Sequence, residues 1–563
     1  MTLYAQRNIF NSIQQGLKTI LAVCFFASAF FHVNASNKIL YIGQNTTVID
    51  GRNAPFNTLL PGDTLKLLAG VRGQLLITHL NGSTVKPIVI QNSGGSVQIS
   101  TTEHYGMSIR HSQFLRITGT GCSNTFYGIQ ILNVDNGAGI GINDLSSDIE
   151  LDHLSISHTM FSGISAKTDP DLTTPSTREF FTQFNTIIHD CSISDTGNEG
   201  MYIGNTKYDG IIEQVNGLDT LIYPSVLVGV RIYNNILQRT GWDGIQVSSA
   251  PTDCQVYGNI ISYDSQDEYY SQLSGIMLGG GSKCDCFNNY IANGKGSGIE
   301  VHGLGGFRVF NNIIVNAGQS NHPLDLADRG YGIFVSDISV ETDSSFILAF
   351  NSIIHPKTDG IRFTSIKSRN NIIASNLIVN PGAYDLYEND NTSAVGSDAY
   401  VMIPNDSSEV KLHNNYFTRN LQLAQVDTLT YVPFAYSPLI DAAWHNTLGV
   451  TMDKNKLARV RGSGPDIGAL EYQNTLDDDK LGPFYSNPVS TQLNIKYLSN
   501  SSSDGYLRIY SKSGKLLLEK RQNYQSQAVQ EIGISIDQLP NDLYLFSIFS
   551  GNDRYSGKFI KTN

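Results

Sequence analysis

Two carboxylates stand at the same place in two copies of one short phrase: Glu199 in "EGMYI" and Asp243 in "DGIQV". A further copy, "SGIEV", carries Glu300 at its fourth place, with His302 two residues on. Carboxylates brought close together repel. Either one holds a proton well above its ordinary pKa, or a hard cation such as calcium sits between Glu199 and Asp243. A carboxyl that keeps its proton beside one that does not is acid–base equipment of the kind that cleaves glycosidic bonds. Glu199, Asp243, Glu300 and His302 are therefore the candidate catalytic groups. The alternative is that the acids are turn residues in solvent, capping backbone N–H groups, and that His302 is a solvated surface histidine. Calcium is the one cofactor the pattern suggests, and no other metal site is expected.

The neighbouring positions suit a sugar. Tyr202, Gln246 and Phe334 occupy the fourth place of their copies, and Trp242 precedes Asp243. Aromatic faces stack on sugar rings, and a few placed polar groups fix hydroxyls. Lys167 and Arg329 are candidates for the base or the carboxylate clamp of an eliminating lyase. Long insertions fall beside the phrase at 167–181, 206–225, 263–273 and 317–331. Coils need no such loops for stability, so they are expected to wall a binding strip. No HExxH, G-x-S-x-G, phosphate-binding loop or CxxC occurs, which removes zinc-protease, α/β-hydrolase and nucleotide chemistry.

The elements that must position these residues are repeats. The phrase x-Gly-[Ile/Met]-x-apolar recurs as "YGMSI", "AGIGI", "SGISA", "EGMYI", "DGIQV", "SGIML", "SGIEV", "YGIFV" and "DGIRF", at its tightest every 23 or 24 residues. An extra copy, "YGIQI" at 127, falls out of phase. Between the copies runs a second phrase, as in "VRIYNNIL", "CQVYGNII", "CDCFNNYI" and "FRVFNNII". Three short strands per repeat, joined by turns rich in Asn and Gly, describe one coil of a parallel β-helix. Side chains alternate in and out along each strand. The outward column then reads Ser108, Gly141, Ser165, Tyr202, Gln246, Met277, Glu300, Phe334, Arg362. Paired asparagines such as Asn288/Asn289 and Asn311/Asn312 are expected to stack as amide ladders inside the turn. Cys254 and Cys284 take equivalent inward places and read first as small buried apolar groups, with a disulfide between them possible.

Residues 38 to about 380 resemble the right-handed parallel β-helix family that includes pectate, alginate and chondroitin lyases. "LLPGDTLKLLAGVRGQLLITHLNGSTVKPIVIQ" is similar to the first coils of chondroitinase B-like members, and "SPLIDAA" with "RGSGPDIGALEY" to the segment that closes many bacterial secreted members. The last 80 or so residues change to longer alternating strands, with "NPVS", "KSGK", "LPNDLYLFSI" and "KFIK" in order. This segment resembles a type A sorting domain of the type IX secretion system. The resemblance implies passage through a Gram-negative outer membrane, loss of the domain, and attachment to the surface or release. The start fits export too: Arg7 and Lys18 precede an apolar run, Ile20 to Phe31, too short to span a bilayer comfortably, before "VNAS".

The expected organisation is an all-β chain: a signal peptide at 1–35, a right-handed parallel β-helix with its closing segment at 36–472, a linker at 473–482, and a small antiparallel β-sandwich at 483–563. With a net charge of −12, becoming more acidic once the leader is lost, the chain is no partner for nucleic acid. The expectation is a secreted or surface-held protein that cleaves an extended polysaccharide, by hydrolysis or by β-elimination, in a groove on one face. The other class is a non-catalytic, glycan-binding or adhesive β-helix. The expected partners are a polysaccharide and the secretion and surface-attachment machinery, with no transmembrane anchor in the mature chain.

Overall fold

Each copy of the glycine phrase becomes a short strand, as in Met201–Ile203, Ile245–Val247, Ser274–Leu278, Ser297–Val301 and Ile333–Val335. These nine strands lie side by side with Val48–Asp50, Leu75–Thr78 and Val401–Met402 in one twelve-stranded parallel sheet, called here the phrase sheet. The asparagine phrase supplies the other two strands of each coil. Thr252–Tyr257 and Ile260–Ser262 are followed one coil on by Cys284–Phe287 and Tyr290–Ala292. These strands form a second, 24-stranded arrangement, the long sheet, in which each pairs in parallel with its own equivalent. The structure is a computed structural model. It describes residues 37–562 except 173–174, 216, 320–329, 383–398, 429, 473–483, 486, 488, 500–502, 525–527 and 551–552. The expected leader, the linker and Arg329 lie outside the described residues.

The register is the expected one. Ser108, Gly141, Ser165, Tyr202, Gln246, Met277, Glu300, Phe334 and Arg362 are Cα partners in succession. Their inward neighbours Ile164, Met201, Ile245, Ile276, Ile299 and Ile333 are buried in the main core. The out-of-phase copy at 127 leads into Ile129–Val134, a strand of the long sheet, which explains its spacing.

The asparagine turns divide their labour. The second residue of each pair joins a buried ladder through Asn235, Asn259, Asn289, Asn312, Asn351, Asn376 and Asn415. Each Nδ2 donates to the next Oδ1 at 2.9–3.1 Å. The same oxygen accepts the backbone N–H of the preceding ladder residue at 2.9–3.0 Å. The first residue instead takes the left-handed turn, as at Asn288 (φ 58°) and Asn311 (φ 57°). Only the second residues ladder, where the sequence suggested that both would stack. Phe350 also holds φ 55° at this place, so the ladder imposes a turn that a bulky residue would not choose.

Cys254 and Cys284 are paired residues of adjacent coils with Cα atoms 4.5 Å apart, and they form a disulfide. The first reading of two separate apolar groups is corrected: equivalent places on neighbouring strands are within bridging distance. The closing segment lays Leu439, Ala443, Val450, Ile467 and Leu470 over the outer face of the later coils, against Phe310, Ile313, Leu377 and Val379. Its motif residues are ties. Arg459, buried, donates to Glu471 at 2.8 Å and to the carbonyls of Gly468 and Ala469. Asp466 accepts the backbone N–H groups of Asp441 and Tyr472. Beyond the linker, antiparallel sheets of three and four strands enclose Leu493, Ile495, Ile509, Ile532, Phe546 and Phe559, the expected sandwich.

Asn289→Ala should lower stability by about 3 kcal/mol. It strips partners from the Asn259 backbone N–H, the Asn259 amide and the Val256 carbonyl, and a buried group left without its bond costs about 1–3 kcal/mol. Asn288→Gly, in the left-handed turn, should cost less than about 1 kcal/mol. Urea unfolding of the two variants beside the parent checks the contrast.

Candidate functional site

The turn before each phrase strand places a column of residues at one edge of the phrase sheet. Glu199 and Asp243 sit there on adjacent coils, tied by the Gly200 N–H to Asp243 carbonyl bond of 3.0 Å. The column continues above and below as Ser162 and Ser274. Glu199 turns back and accepts the Ser162 hydroxyl at 2.9 Å. Asp243 turns forward and accepts both the N–H and the hydroxyl of Ser274 at 2.8 Å. Asp243 thus caps a backbone N–H, as the turn-residue reading expected, but it does so out of solvent.

Burial is the main departure from the sequence reading. Exposure is 0% at Asp243, 3% at Glu199, 4% at Gln246, 1% at Glu300 and 5% at His302. An outward strand position faces water only where nothing covers it, and the middle of this strip is covered. The electrostatic consequence follows. Burial raises the Glu199 pKa, opposed by its hydrogen bonds and by Lys167. Burial also holds the Asp243 pKa well above its ordinary value, opposed by Ser274, and the charges of Glu199 and Glu300 push it further up. Among the described residues, Asp243 Oδ2 and Gln246 Oε1 are buried without a hydrogen-bond partner. A proton on Asp243, or a small hard cation between Glu199 and Asp243, would complete the site; carboxylate oxygens fit calcium chemistry.

Around the acids stand groups that reach solvent. Lys167 is partly exposed, bonds Asp169 at 2.5 Å, and holds its ammonium 5.3 Å from the centre of the Tyr202 ring. The Tyr202 hydroxyl meets Thr206 at 3.3 Å. Trp242 stacks on Tyr269 at 4.4 Å, and Tyr269 is itself exposed. Two of the insertions, 167–181 and 206–225, meet through Arg178. Arg178 donates to the Tyr208 carbonyl and lies over the Tyr208 ring at 4.0 Å and the Tyr223 ring at 5.2 Å. Further along, His302 bridges Glu300 (2.9 Å) and Ser336 (2.5 Å), with the Phe334 ring edge-on at 5.6 Å. Asp359, in the same turn column, is buried and paired with Arg362 at 2.9 Å, so it is no blank turn position.

The sequence reading singled out Glu199, Asp243, Lys167, Tyr202, Trp242 and Gln246, which the fold gathers on neighbouring coils. Glu300, His302 and Phe334 form a second group. Missed were Ser162 and Ser274, present in the turn column but unremarked as acid partners, and Ser336, two residues beyond Phe334. Missed too was a cluster on the long sheet, where Glu150, Asp152 and His189 bring donor atoms within 4.8 Å of one another. Arg116 already bonds Asp152 at 2.9 Å and lies 3.2 Å from Glu150, so a guanidinium supplies the cation there.

Residues 483–562 match the family described as "Secretion system C-terminal sorting domain". The tail is that sorting domain, which marks a chain for secretion. Among the described residues no helix is long and apolar enough to cross a membrane. A search of curated proteins returns no match. Solved structures similar to the chain include an alginate lyase from a Paenibacillus species, at 13% identity over 68% of this chain and 99% of that one, TM-score 0.33. A xylose complex of XylC aligns at 10% identity over 88% of this chain and 100% of that one, TM-score 0.33. A PL6 family polysaccharide lyase from Pseudopedobacter saltans aligns at 13% identity over 66% and 92%, TM-score 0.31. No residue is carried across from any of them.

A carboxyl whose pKa is raised by folding binds its proton more tightly in the native state than in the unfolded one. Its cost is absent below the unfolded pKa of about 4 and grows as pH rises toward the folded value. Asp243→Asn keeps the oxygen that Ser274 bonds and removes the titration. The variant should therefore match the parent in urea midpoint near pH 4 and exceed it increasingly from pH 5 to 8. If calcium meets the acids instead, the parent's midpoint at pH 8 should fall on chelation, and the variant's should not.

Proposed function

We propose that this is an exported carbohydrate-active protein that cleaves an extended polysaccharide along the phrase sheet, beside the loop wall of 167–181 and 206–225. The observation that carries the reading is the acid column. Glu199 and Asp243 are held on adjacent coils, out of water, with raised pKa values and with Asp243 Oδ2 unmet among the described residues. Such an arrangement costs stability and gives the coil no packing in return. Strongly shifted acids of this kind concentrate at working sites.

Burial supports a division of roles. Asp243 has no exposure, so it serves as a proton store behind Glu199 and does not touch sugar itself. Lys167 and Tyr202 are the titratable groups of this cluster that reach solvent, and Trp242 with Tyr269 offers the stacking face. In elimination, Lys167 or Tyr202 takes the proton beside a uronate carboxylate while Glu199 and Asp243 supply the neutral acid. In hydrolysis, Glu199 gives its proton to the glycosidic oxygen as its bond to the anomeric carbon breaks, and a water adds to that carbon and returns a proton to Glu199. Glu300, His302 and Ser336 form a separate hydrogen-bonded chain that holds the next stretch of the strip. One observation favours the alternative of a glycan-binding, non-catalytic surface protein: the acids are enclosed while the aromatics are presented.

The test is a polysaccharide panel read two ways, by reducing ends for hydrolysis and by absorbance of the new double bond for elimination. On a substrate the parent cleaves, Asp243→Asn and Glu199→Gln should each lose about 100-fold in rate, the scale of a lost acid or base. The double variant should lose little more, because groups acting as one unit are not additive. Tyr202→Phe should fall comparably if elimination is the reaction. Normal turnover by Asp243→Asn would defeat this reading, and binding without either product would establish the adhesive one. Export should also remove both ends. Mass spectrometry of the surface or secreted protein is expected to lack peptides from 1–35 and from the sorting domain, and recovery of intact "GKFIKTN" would overturn the second loss.

A further inference from the structure

The sorting domain lies on the flank of the β-helix, in the same compact unit, Ile39–Asn563. The seam follows from strand alternation. Leu237 and Ile261 are partners that face the coil core, so their neighbours Ile236 and Ile260, also partners, face out. They leave an apolar patch on the long sheet. Phe126, Tyr127 and Ile236 are buried in one cluster with Tyr510, Leu543 and Leu545 of the tail, with Ile260 and Ile560 packed against it. The turn of the tail's "KSGK" hairpin sits against Tyr127, where a Cβ on Gly514 would come within 3.2 Å of the ring. Polar ties fix the register. Lys558 donates to the Asn234 carbonyl, in a turn of the asparagine ladder, and Arg508 donates to the Ser123 carbonyl at 3.4 Å.

Lys558 and Ile560 belong to Asp553–Ile560, the last strand in the order of the tail's four-stranded sheet. The outer edge of this strand is closed within the tail, where Val489 donates to the Ile560 carbonyl and Asn487 to the Lys558 carbonyl. The β-helix covers the side chains of Lys558 and Ile560. We propose that the folded β-helix shields its own export signal. The flank around Phe126, Tyr127 and Ile236 holds the terminal strand docked, and the secretion machinery engages the strand only when it undocks. The shielding rests on the seam and on the tail's identity as a sorting domain, and it is independent of any reaction on the phrase sheet.

The seam offers a cross-link site, because a Cβ on Gly514 would lie 3.6 Å from the Tyr127 Cβ, within disulfide reach. In the full chain carrying Tyr127→Cys and Gly514→Cys, mild oxidation and peptide mapping should find these two cysteines joined, and this chain is the parent for the seam variants. Phe126→Glu and Ile236→Lys place a charge in the seam and leave the coil core untouched. Both should lose the cross-link, keep the parent's far-ultraviolet spectrum, and raise the fraction exported at early times severalfold in cells with the matching secretion system. A parent that gives no cross-link overturns the docked state. Variants that keep the cross-link overturn the seam as its cause. Variants that lose the cross-link yet export no faster overturn the shielding. If one variant fails to fold, the other carries the comparison.

Discussion

From the turn at Cys191 onward, neighbouring coils share one repeated contact, a buried asparagine amide oxygen that accepts the backbone N–H of the coil before it. Each ladder residue closes a turn, ties two coils together, and sets their separation at the spacing of paired strands, about 4.8 Å. The rest of the molecule inherits that spacing. On the long sheet His189, Tyr233, Tyr257, Phe287 and Phe310 stack with centroids 4.6–4.9 Å apart and planes within 5°. On the phrase sheet the same pitch sets Tyr202 beside Gln246 and Glu199 beside Asp243. A helix built this way has little freedom to relax one coil without disturbing two others, so its outward columns are rigid mounts.

That regularity is why the coil architecture was legible. A phrase repeated nine times fixes phase, and period-two alternation then fixes which residue of each copy faces out, so the outward column could be written down position by position. The Cys254–Cys284 pair was equally placed, and only its bond was left open. What could not be read was cover. Alternation says that Gln246 and Glu300 leave the core, but it does not say whether water or protein receives them, since insertions have no period. The same gap hid the directions of the acids. Adjacency of Glu199 and Asp243 follows from the repeat, whereas the turn of one toward Ser162 and of the other toward Ser274 depends on side-chain choices that a single sequence does not spell out.

The outer face of the long sheet shows the same physics on a larger scale. The column Ile236, Ile260, Tyr290, Ile313 runs through successive coils by strand pairing. No alternating strand would leave such a row to water. The closing segment takes Tyr290 and Ile313, and the sorting domain takes Ile236, with Ile260 packed at its edge. The closing segment and the sorting domain therefore cover one continuous stripe. Loss of the tail would bare its earlier half while the later half stays sealed. A chain without the tail would thus differ in surface from the full chain at a predictable place.

A fixed pitch treats like stacked on like in opposite ways. Amides gain from it, because each has a donor for the acceptor above and an acceptor for the donor below. Aromatic rings tolerate it. Carboxylates lose, because at strand spacing they repel and, once buried, cannot be screened by water. The turn column resolves the conflict by sequence order, Ser162, Glu199, Asp243, Ser274. A serine brackets the pair on each side, and each acid turns to the serine on its own side, so the hydroxyls take one oxygen of each acid and the remaining charge is left to a proton or a cation. Were these positions chosen for the fold alone, serine or asparagine throughout would stack without penalty, as the neighbouring coils demonstrate. The two acids are the point where the column departs from what the coil prefers, and such a departure is where function is expected to have overruled stability.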